Sequence, residues 1–255
     1  MDIYFNTSLA GNYNNPSQII RVLTESWVQE NIYCPHCGNS KILHFPNNSA
    51  VADFYCPACK NEYELKSKKG SIGHKITDGA YDTFIQRITS NHNPDFFILT
   101  YNTEGLYVEN LWIIPKHFFV PEIVEKRRPL SSMARRAGWI GCNILLGKIP
   151  IQGQISIIKN CIPNKKDSVI EQVQRSTFLN INDINARGWL LDVLTCINNI
   201  PNQEFSLEEI YNFENALSTK HPQNHSIRPK IRQQLQMLRD KGFLKFLGQG
   251  IYRKK

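Results

Sequence analysis

Two cysteine pairs constrain this chain more than any other feature: Cys34-Pro-His-Cys37 and Cys56-Pro-Ala-Cys59, with 18 residues between them. Two tight C-x2-C turns at this separation bring four thiolates to one tetrahedral zinc ion, the spacing of a zinc ribbon. Four protein ligands leave no position for water, so this Zn2+ is expected to be structural. Cys142, Cys161 and Cys196 stand at unrelated spacings and read as small buried apolar residues. The N-terminus Met-Asp-Ile-Tyr-Phe-Asn lacks a basic-then-apolar leader, and no apolar run approaches the ~20 residues that span a bilayer. A cytoplasmic chain with reduced thiols and no membrane partner is expected.

The second cysteine pair lies inside a stretch, 51–69, that also carries acids and lysines. Read with a strand's period of two, Asp53 points away from Ala52 and Phe54. Glu62, Glu64, Lys66 and Lys68 share one face, and Tyr63 and Leu65 the other. An Asp on one strand beside a Glu-x-Lys on the next suits a metal nuclease, in which carboxylates hold a hard divalent cation and the lysine sits beside the attacking water. Glu62 fills the same face as Glu64, and only the E-x-K spacing to Lys66 favours Glu64. Because Cys56 and Cys59 fall between Asp53 and Glu64, zinc would pin the loop that sets the distance between the acids.

Around this stretch the chain reads as alternating helices and strands. A helix is expected over about Ser17–Glu30, with Ile19, Val22, Leu23 and Trp27 inward; Glu25 on it could supply a further carboxylate to the metal site, but a surface position is the better reading. A segment Lys41–Phe45, a polar turn at 46–49 and the strand bearing Asp53 follow. Then come a helix over Asp78–Thr89 and strands over Asp95–Tyr101 and Tyr107–Pro115, giving a mixed α/β sheet. Lys126-Arg-Arg128 and the run Ser131–Cys142, with Arg135, Arg136 and Trp139, suit phosphate contacts and one base-facing side chain. The plainer alternative is a solvated loop with Trp139 in the core.

From Ala186 the pattern changes. Helices are expected over Gly188–Ile200, from the Ser206/Glu209 capping pair to about Leu217, and from Ser226 to Lys241, followed by a hairpin turning at 248–250. Three helices and a hairpin make a winged helix-turn-helix. The third helix would put Ile227, Ile231, Leu235 and Leu238 inward, Arg232, Gln233 and Gln236 outward, and Arg228 and Lys230 on its flanks. Residues 220–255 carry ten Lys/Arg against one acid, whereas 1–186 carry 19 against 16. That imbalance, within a formal charge of +8, favours DNA as the partner.

The runs Val51-Ala-Asp-Phe-Tyr-Cys56, Glu64-Leu-Lys-Ser-Lys-Lys-Gly70, Asp78-Gly-Ala-Tyr81, Ala134-Arg-Arg-Ala-Gly-Trp-Ile-Gly-Cys-Asn143 and Ile231-Arg-Gln-Gln-Leu-Gln236 closely resemble the DpnI family of methyl-directed type II restriction endonucleases. The likeness runs over nearly the whole chain. It implies a PD-(D/E)xK catalytic domain over 1–183 with an inserted zinc ribbon at about 34–59, a winged helix over 187–255, and a monomer. It further implies double-stranded DNA with adenine-methylated GATC as substrate, and Asp53, Glu64 and Lys66 as the catalytic residues. Mg2+ would be held by Asp53, Glu64 and the Leu65 carbonyl, and Trp139 would meet the methylated adenine. Ala52 stands where the wider nuclease superfamily usually has proline. Two other classes compete. A non-catalytic zinc-ribbon and winged-helix regulator has no need of Asp53, Glu64 and Lys66 together, and an HNH nuclease needs a histidine arrangement that none of the seven histidines provides.

Overall fold

Asn15 sets the first long helix, its side chain accepting from the Ser17 N–H while Pro16 takes a position that needs no donor. The computed structural model describes residues 1–46, 52–90 and 92–255. The chain divides into two compact units, 1–147 with 152–177, and 148–151 with 178–255.

In the larger unit, α1 (Pro16–Asn31) precedes β1 (Leu43–His44), β2 (Phe54–Tyr55), β3 (Glu62–Lys69), β4 (Ile76–Ala80), α2 (Tyr81–Thr89), β5 (Asp95–Asn102) and β6 (Tyr107–Ile114). Then follow β7 (Val124–Lys126), β8 (Gly141–Ile144), β9 (Ile155–Lys159), β10 (Ile162–Pro163) and α3 (Lys166–Ser176). The main sheet has the order β1-β2-β3-β5-β6-β9-β10, with β3 and β5 parallel and the other pairs antiparallel. β5 is buried along nearly its whole length, as a strand covered on both faces must be. Phe97 and Leu99 join Phe54, Tyr63, Leu23, Trp27, Val28 and Val173 in one core. On the opposite face, Phe96 packs 4.4 Å from Phe119 and 6.0 Å from Phe84 of α2, centroid to centroid.

A second sheet, β4-β8-β7, lies in the same unit. The helix expected from Asp78 begins only at Tyr81. Residues 76–80 instead pair with β8, Ile76 opposite Ile144 and Asp78 opposite Cys142, with a bulge at Gly79. Backbone pairing overrides a weak local helix preference that Gly79 further reduces. The polar turn expected at 46–49 falls largely on 47–51, outside the described residues.

The smaller unit contains α4 (Ile184–Asn199), β11 (Glu204–Ser206), α5 (Leu207–Tyr211), α6 (Glu214–Lys220), α7 (Ile227–Asp240), β12 (Leu244–Gly248) and β13 (Ile251–Lys254). The Ser206/Glu209 capping box forms as read. The second helix does not run unbroken to Leu217, because Asn212, a poor helix residue, and Phe213 make a turn closed by the Phe213 N–H to the Ile210 carbonyl. α4 starts four residues before Gly188, capped by Asp183, which accepts from the Ala186 N–H. β11 adds a third strand to the expected hairpin, in the order β11-β13-β12.

One buried carboxylate fastens the cysteine region to the main sheet. Asp95, at the start of β5, accepts from His36 Nε2 at 2.6 Å, Asn61 Nδ2 at 2.5 Å and the Lys116 N–H at 2.7 Å. These donors hold its carboxyl below the usual range despite burial. Asp95→Ala strands three donors in the interior and is expected to cost about 3–5 kcal/mol. Denaturant unfolding reads this directly, and a midpoint equal to that of the wild type shows the clamp to be dispensable.

Candidate active site, zinc centre and DNA-facing loop

The two cysteine turns are built alike. Cys34 and Cys56 each accept through their carbonyl from the N–H four residues on, Gly38 and Lys60, and those residues take φ of +75° and +62°. Gly38 also admits close packing, since a Cβ there would lie 3.0 Å from Ile170 Cδ1 of α3. Cys34 Sγ lies 3.5 Å from Cys59 Sγ, Cys37 Sγ lies 3.6 Å from Cys56 Sγ, and all four sulfurs fall within 4.8 Å of one another. A tetrahedron with Zn–S bonds of ~2.3 Å has sulfur edges of about 3.8 Å, so the set fits Zn2+. Among the described residues no other group of three or more metal-ligating side chains draws together in this way.

The fold prepares one of these thiols for ionisation. Burial pushes Cys56 up, but the Cys59 and Ala58 N–H groups outweigh it and bring the thiol down to about 7. Burial pushes Cys34 up, and the Tyr63 hydroxyl, 3.0 Å from its sulfur, opposes that. Tyr63 is the residue before Glu64, so the zinc turns bear directly on the acid-bearing strand. Of the other cysteines, Cys142 and Cys196 are buried as expected. Cys161 is only half-buried, because it sits in the left-handed turn between β9 and β10.

Asp53, Glu64, Leu65 and Lys66 line one cavity of about 270 Å³ together with Ser17, Ile20, Arg21, Thr24, Glu25 and Ser67. Asp53 stands just before β2, where its N–H donates to the Tyr63 carbonyl and its Oδ2 accepts from the Leu65 N–H at 2.7 Å. Glu62 is not among the lining residues. Glu25, read in the sequence as a surface residue in preference to a further carboxylate for the metal site, is a wall residue: its side chain is 17% exposed and takes hydrogen bonds from Arg21 at 2.7 Å and His44 at 3.2 Å. Helix period alone does not show that this edge of α1 faces a cavity.

The acid–lysine pair belongs to a longer chain of alternating charge. Arg87 Nη1 of α2 lies 2.5 Å from Glu64 Oε2, Glu64 Oε1 lies 2.5 Å from Lys66 Nζ, and Lys66 Nζ lies 2.6 Å from Asp78 Oδ1 of β4. Burial pushes the Glu64 carboxyl up against the pull of Lys66 and Arg87. Burial works against the Lys66 ammonium, but Glu64 and Asp78 outweigh it and raise its value, so the lysine is held charged. Two carboxylates and a carbonyl make a hard oxygen donor set suited to Mg2+. Glu64 fits that set once it releases Lys66. Arg87 was not singled out in the sequence, and Asp78 entered there only within the run Asp78-Gly-Ala-Tyr81 that carries the resemblance and as the start of a helix, with no role given to it.

Loop 127–140 joins β7 to β8. It is closed at its base by Arg127 N–H to the Gly141 carbonyl, and higher up by Leu130 N–H to the Trp139 carbonyl and Gly138 N–H to the Leu130 carbonyl. Gly138 has φ +77°. Arg128, Arg135 and Arg136 are exposed, and Met133 is 93% exposed. Trp139 is half-buried and belongs neither to the core nor wholly to solvent: Arg136 stacks on its ring at 4.8 Å, and its edge lies over Gly141, where a Cβ would come within 2.8 Å. In the smaller unit, Arg232, Gln233 and Gln236 project from α7 as expected and Lys230 is half-buried. Arg228 is exposed but already engaged, 2.8 Å from Glu214 and stacked on Tyr211.

Cys56→Ser is expected to lower zinc content and melting temperature together, since the binding free energy of a structural zinc is largely folding free energy. Stoichiometric metal at an unchanged melting temperature rules out the four-thiolate site.

Comparison with known families places both units. The family model described as DpnI, Dam-replacing family, matches residues 1–182. That described as DpnI_C, Dam-replacing HTH domain, matches residues 185–254.

Proposed function

Because the chain belongs to the DpnI, Dam-replacing family, we propose that it is a methylation-dependent type II restriction endonuclease, cutting double-stranded DNA at adenine-methylated GATC by Mg2+-dependent phosphodiester hydrolysis. The observation that carries this reading is the convergence of Asp53, Glu64 and Lys66 on one cavity. In this reading residues 1–183 form a PD-(D/E)xK nuclease domain and 187–255 a winged-helix DNA-binding domain. The protein acts as a monomer on DNA in the bacterial cytoplasm.

Asp53, Glu64 and the Leu65 carbonyl would hold Mg2+. When bound, that ion supplies Lewis-acid polarisation of the phosphate and a more acidic water. The chain's own groups do the rest. Lys66, held charged by its two acids, is a cation and not a base. It orients the nucleophile and offsets negative charge that develops on the phosphate oxygens. Asp53 is fixed by the Leu65 N–H, so one backbone donor sets the spacing of both acid-bearing segments. Arg87 still holds the other Glu64 oxygen when Lys66 moves.

Recognition falls to other groups. Arg135 and Arg136 in the loop and Lys230 on α7 contact phosphate, Arg228 flanks them once it leaves Glu214, and Arg232 is placed to pair with a guanine edge. Gln233 and Gln236 are placed to read adenine edges in the major groove. A methyl group adds no hydrogen bond, so its recognition needs apolar contact, which the Trp139 indole offers.

Glu64→Ala or Lys66→Ala is expected to abolish cleavage of methylated plasmid in Mg2+ while leaving equilibrium binding to methylated duplex nearly intact, because the cavity acts on phosphate and not on base identity. Wild-type cutting by either variant sinks the assignment. Trp139→Ala in the full chain is expected to weaken the preference for methylated over unmethylated GATC by about 1–3 kcal/mol, the worth of a methylene in an apolar pocket. Competition binding measures it, and an unchanged ratio moves methyl reading elsewhere.

A further inference from the structure

Lys66 has two acidic partners, and they belong to different sheets. Glu64 lies two residues away on β3 of the main sheet, whereas Asp78 comes from β4, whose partner β8 continues directly from the loop bearing Trp139. Asp78 is 6% exposed at its side chain. Its Oδ1 accepts from Lys66 Nζ and from the Gly79 N–H, each at 2.6 Å. Its Oδ2 is buried with no hydrogen-bond partner among the described residues. A half-engaged buried carboxylate offers the lysine a stronger hold than it now takes.

The backbone around Asp78 is tied to the loop at successive points. Asp78 pairs with Cys142 and Ala80 with Gly141 across the bulge at Gly79, and the Tyr81 N–H donates to the Ile140 carbonyl at 3.1 Å. Cys142 Sγ reaches the Gly79 carbonyl at 3.6 Å, and Lys126 Nζ lies 4.9 Å over the Tyr81 ring. Trp139 immediately precedes this ladder, with its indole edge against Gly141. A shift of the indole as it seats on a base pair therefore reaches residues 140–142, then the bulge, then the Asp78 carboxylate. A bulge is a point where a strand yields without losing the flanking pairs.

We propose that Asp78 is a positioning residue that couples recognition to cleavage: engagement of loop 127–140 lets it draw Lys66 off Glu64, leaving the glutamate free for its role in hydrolysis. This rests on the nuclease reading above. Lys66 is then shared between two sheets, one carrying the chemistry and the other the reading loop. Cutting depends on the adenine methyl through Asp78 as well as through binding.

The test uses the full chain with GATC duplexes methylated on both strands, one strand or neither. Equilibrium binding is read with Ca2+ in place of Mg2+, and single-turnover cleavage with Mg2+ at enzyme excess. Asp78→Asn keeps an oxygen acceptor for the Gly79 N–H but removes the charge. Its binding to each duplex is expected to stay within about twofold of wild type, because Asp78 is buried and is none of the residues assigned to phosphate or base contact. The ratio of cleavage rates, fully methylated to unmethylated, is expected to fall by roughly 5- to 150-fold, the span of ordinary coupling between sites. In that background Trp139→Ala should change binding preference without further change in the rate ratio for bound DNA.

An equal fall in rate on all duplexes, or no fall, overturns the coupling. If Asp78→Asn melts well below wild type, Asp78→Ser, which also removes the charge and keeps an oxygen near the Gly79 N–H, is judged by the same ratio. A wild-type chain that binds but cuts no duplex refutes the nuclease reading itself, an outcome separate from loss of the ratio in the variant.

Discussion

A carboxylate buried at the head of β5 holds the rest of the larger unit in register. Asp95 gathers donors from both cysteine turns' neighbourhoods, His36 from the first and Asn61 just past the second, and a backbone N–H from Lys116 after β6. Isolating such a charge from water is costly, and three donors are what make it tolerable. The same strand pairs with β3 from Tyr63 to Lys69. The position of Glu64 and Lys66 is therefore set from two sides: by β5 through the sheet, and by the cysteine turns through Asp95 and through Tyr63 against Cys34. A zinc ion among the four sulfurs would stiffen a frame that Asp95 already defines.

Within that frame the wall beside the cavity concentrates more charge than a stable core needs. Arg87, Glu64, Lys66 and Asp78 alternate in sign, so each charge has an opposite neighbour at 2.5–2.6 Å. The arrangement keeps Lys66 charged and leaves it between two unlike acids, Glu64 already held by Arg87 and Asp78 with one oxygen unpaired among the described residues. A lysine with a single buried acid would be locked to it. One shared between two is movable at small cost, because what it loses on one side it regains on the other.

The parts legible in the sequence were those with short-range signals. Cysteine spacing placed the zinc turns, period two placed Glu64 and Lys66 on one face, and period 3.6 with the Ser206/Glu209 pair placed the C-terminal helices. What escaped depended on tertiary pairing. Asp78 reads locally as the start of a helix and becomes a strand residue only because Cys142, 64 positions on, pairs with it. Arg87 lies on an exposed-looking helix edge until β3 is laid beside α2. Glu25 could be read from the helix either as solvated or as a further acid of the site, and only the packing of Asp53 and Glu64 beside it decides for the cavity wall. The engagement of Arg228 by Glu214 also depends on a contact between two helices that neither pattern contains.

The competing idea, a zinc-ribbon and winged-helix regulator without chemistry, can be weighed on energetic grounds. A protein that only binds DNA gains nothing from four ionised side chains sunk beside a cavity. Replacing buried ion pairs by packed apolar residues is often neutral or stabilising by about 1–4 kcal/mol. Phe84, Phe96 and Phe119 already pack on that face of the sheet, so an apolar continuation through 64, 66, 78 and 87 is physically available. The chain instead holds charges there, with one Asp78 oxygen and one Arg87 nitrogen buried without partners among the described residues. Such a site is under-satisfied for stability but well matched to a charged substrate and a hard cation, which argues for hydrolysis over binding alone.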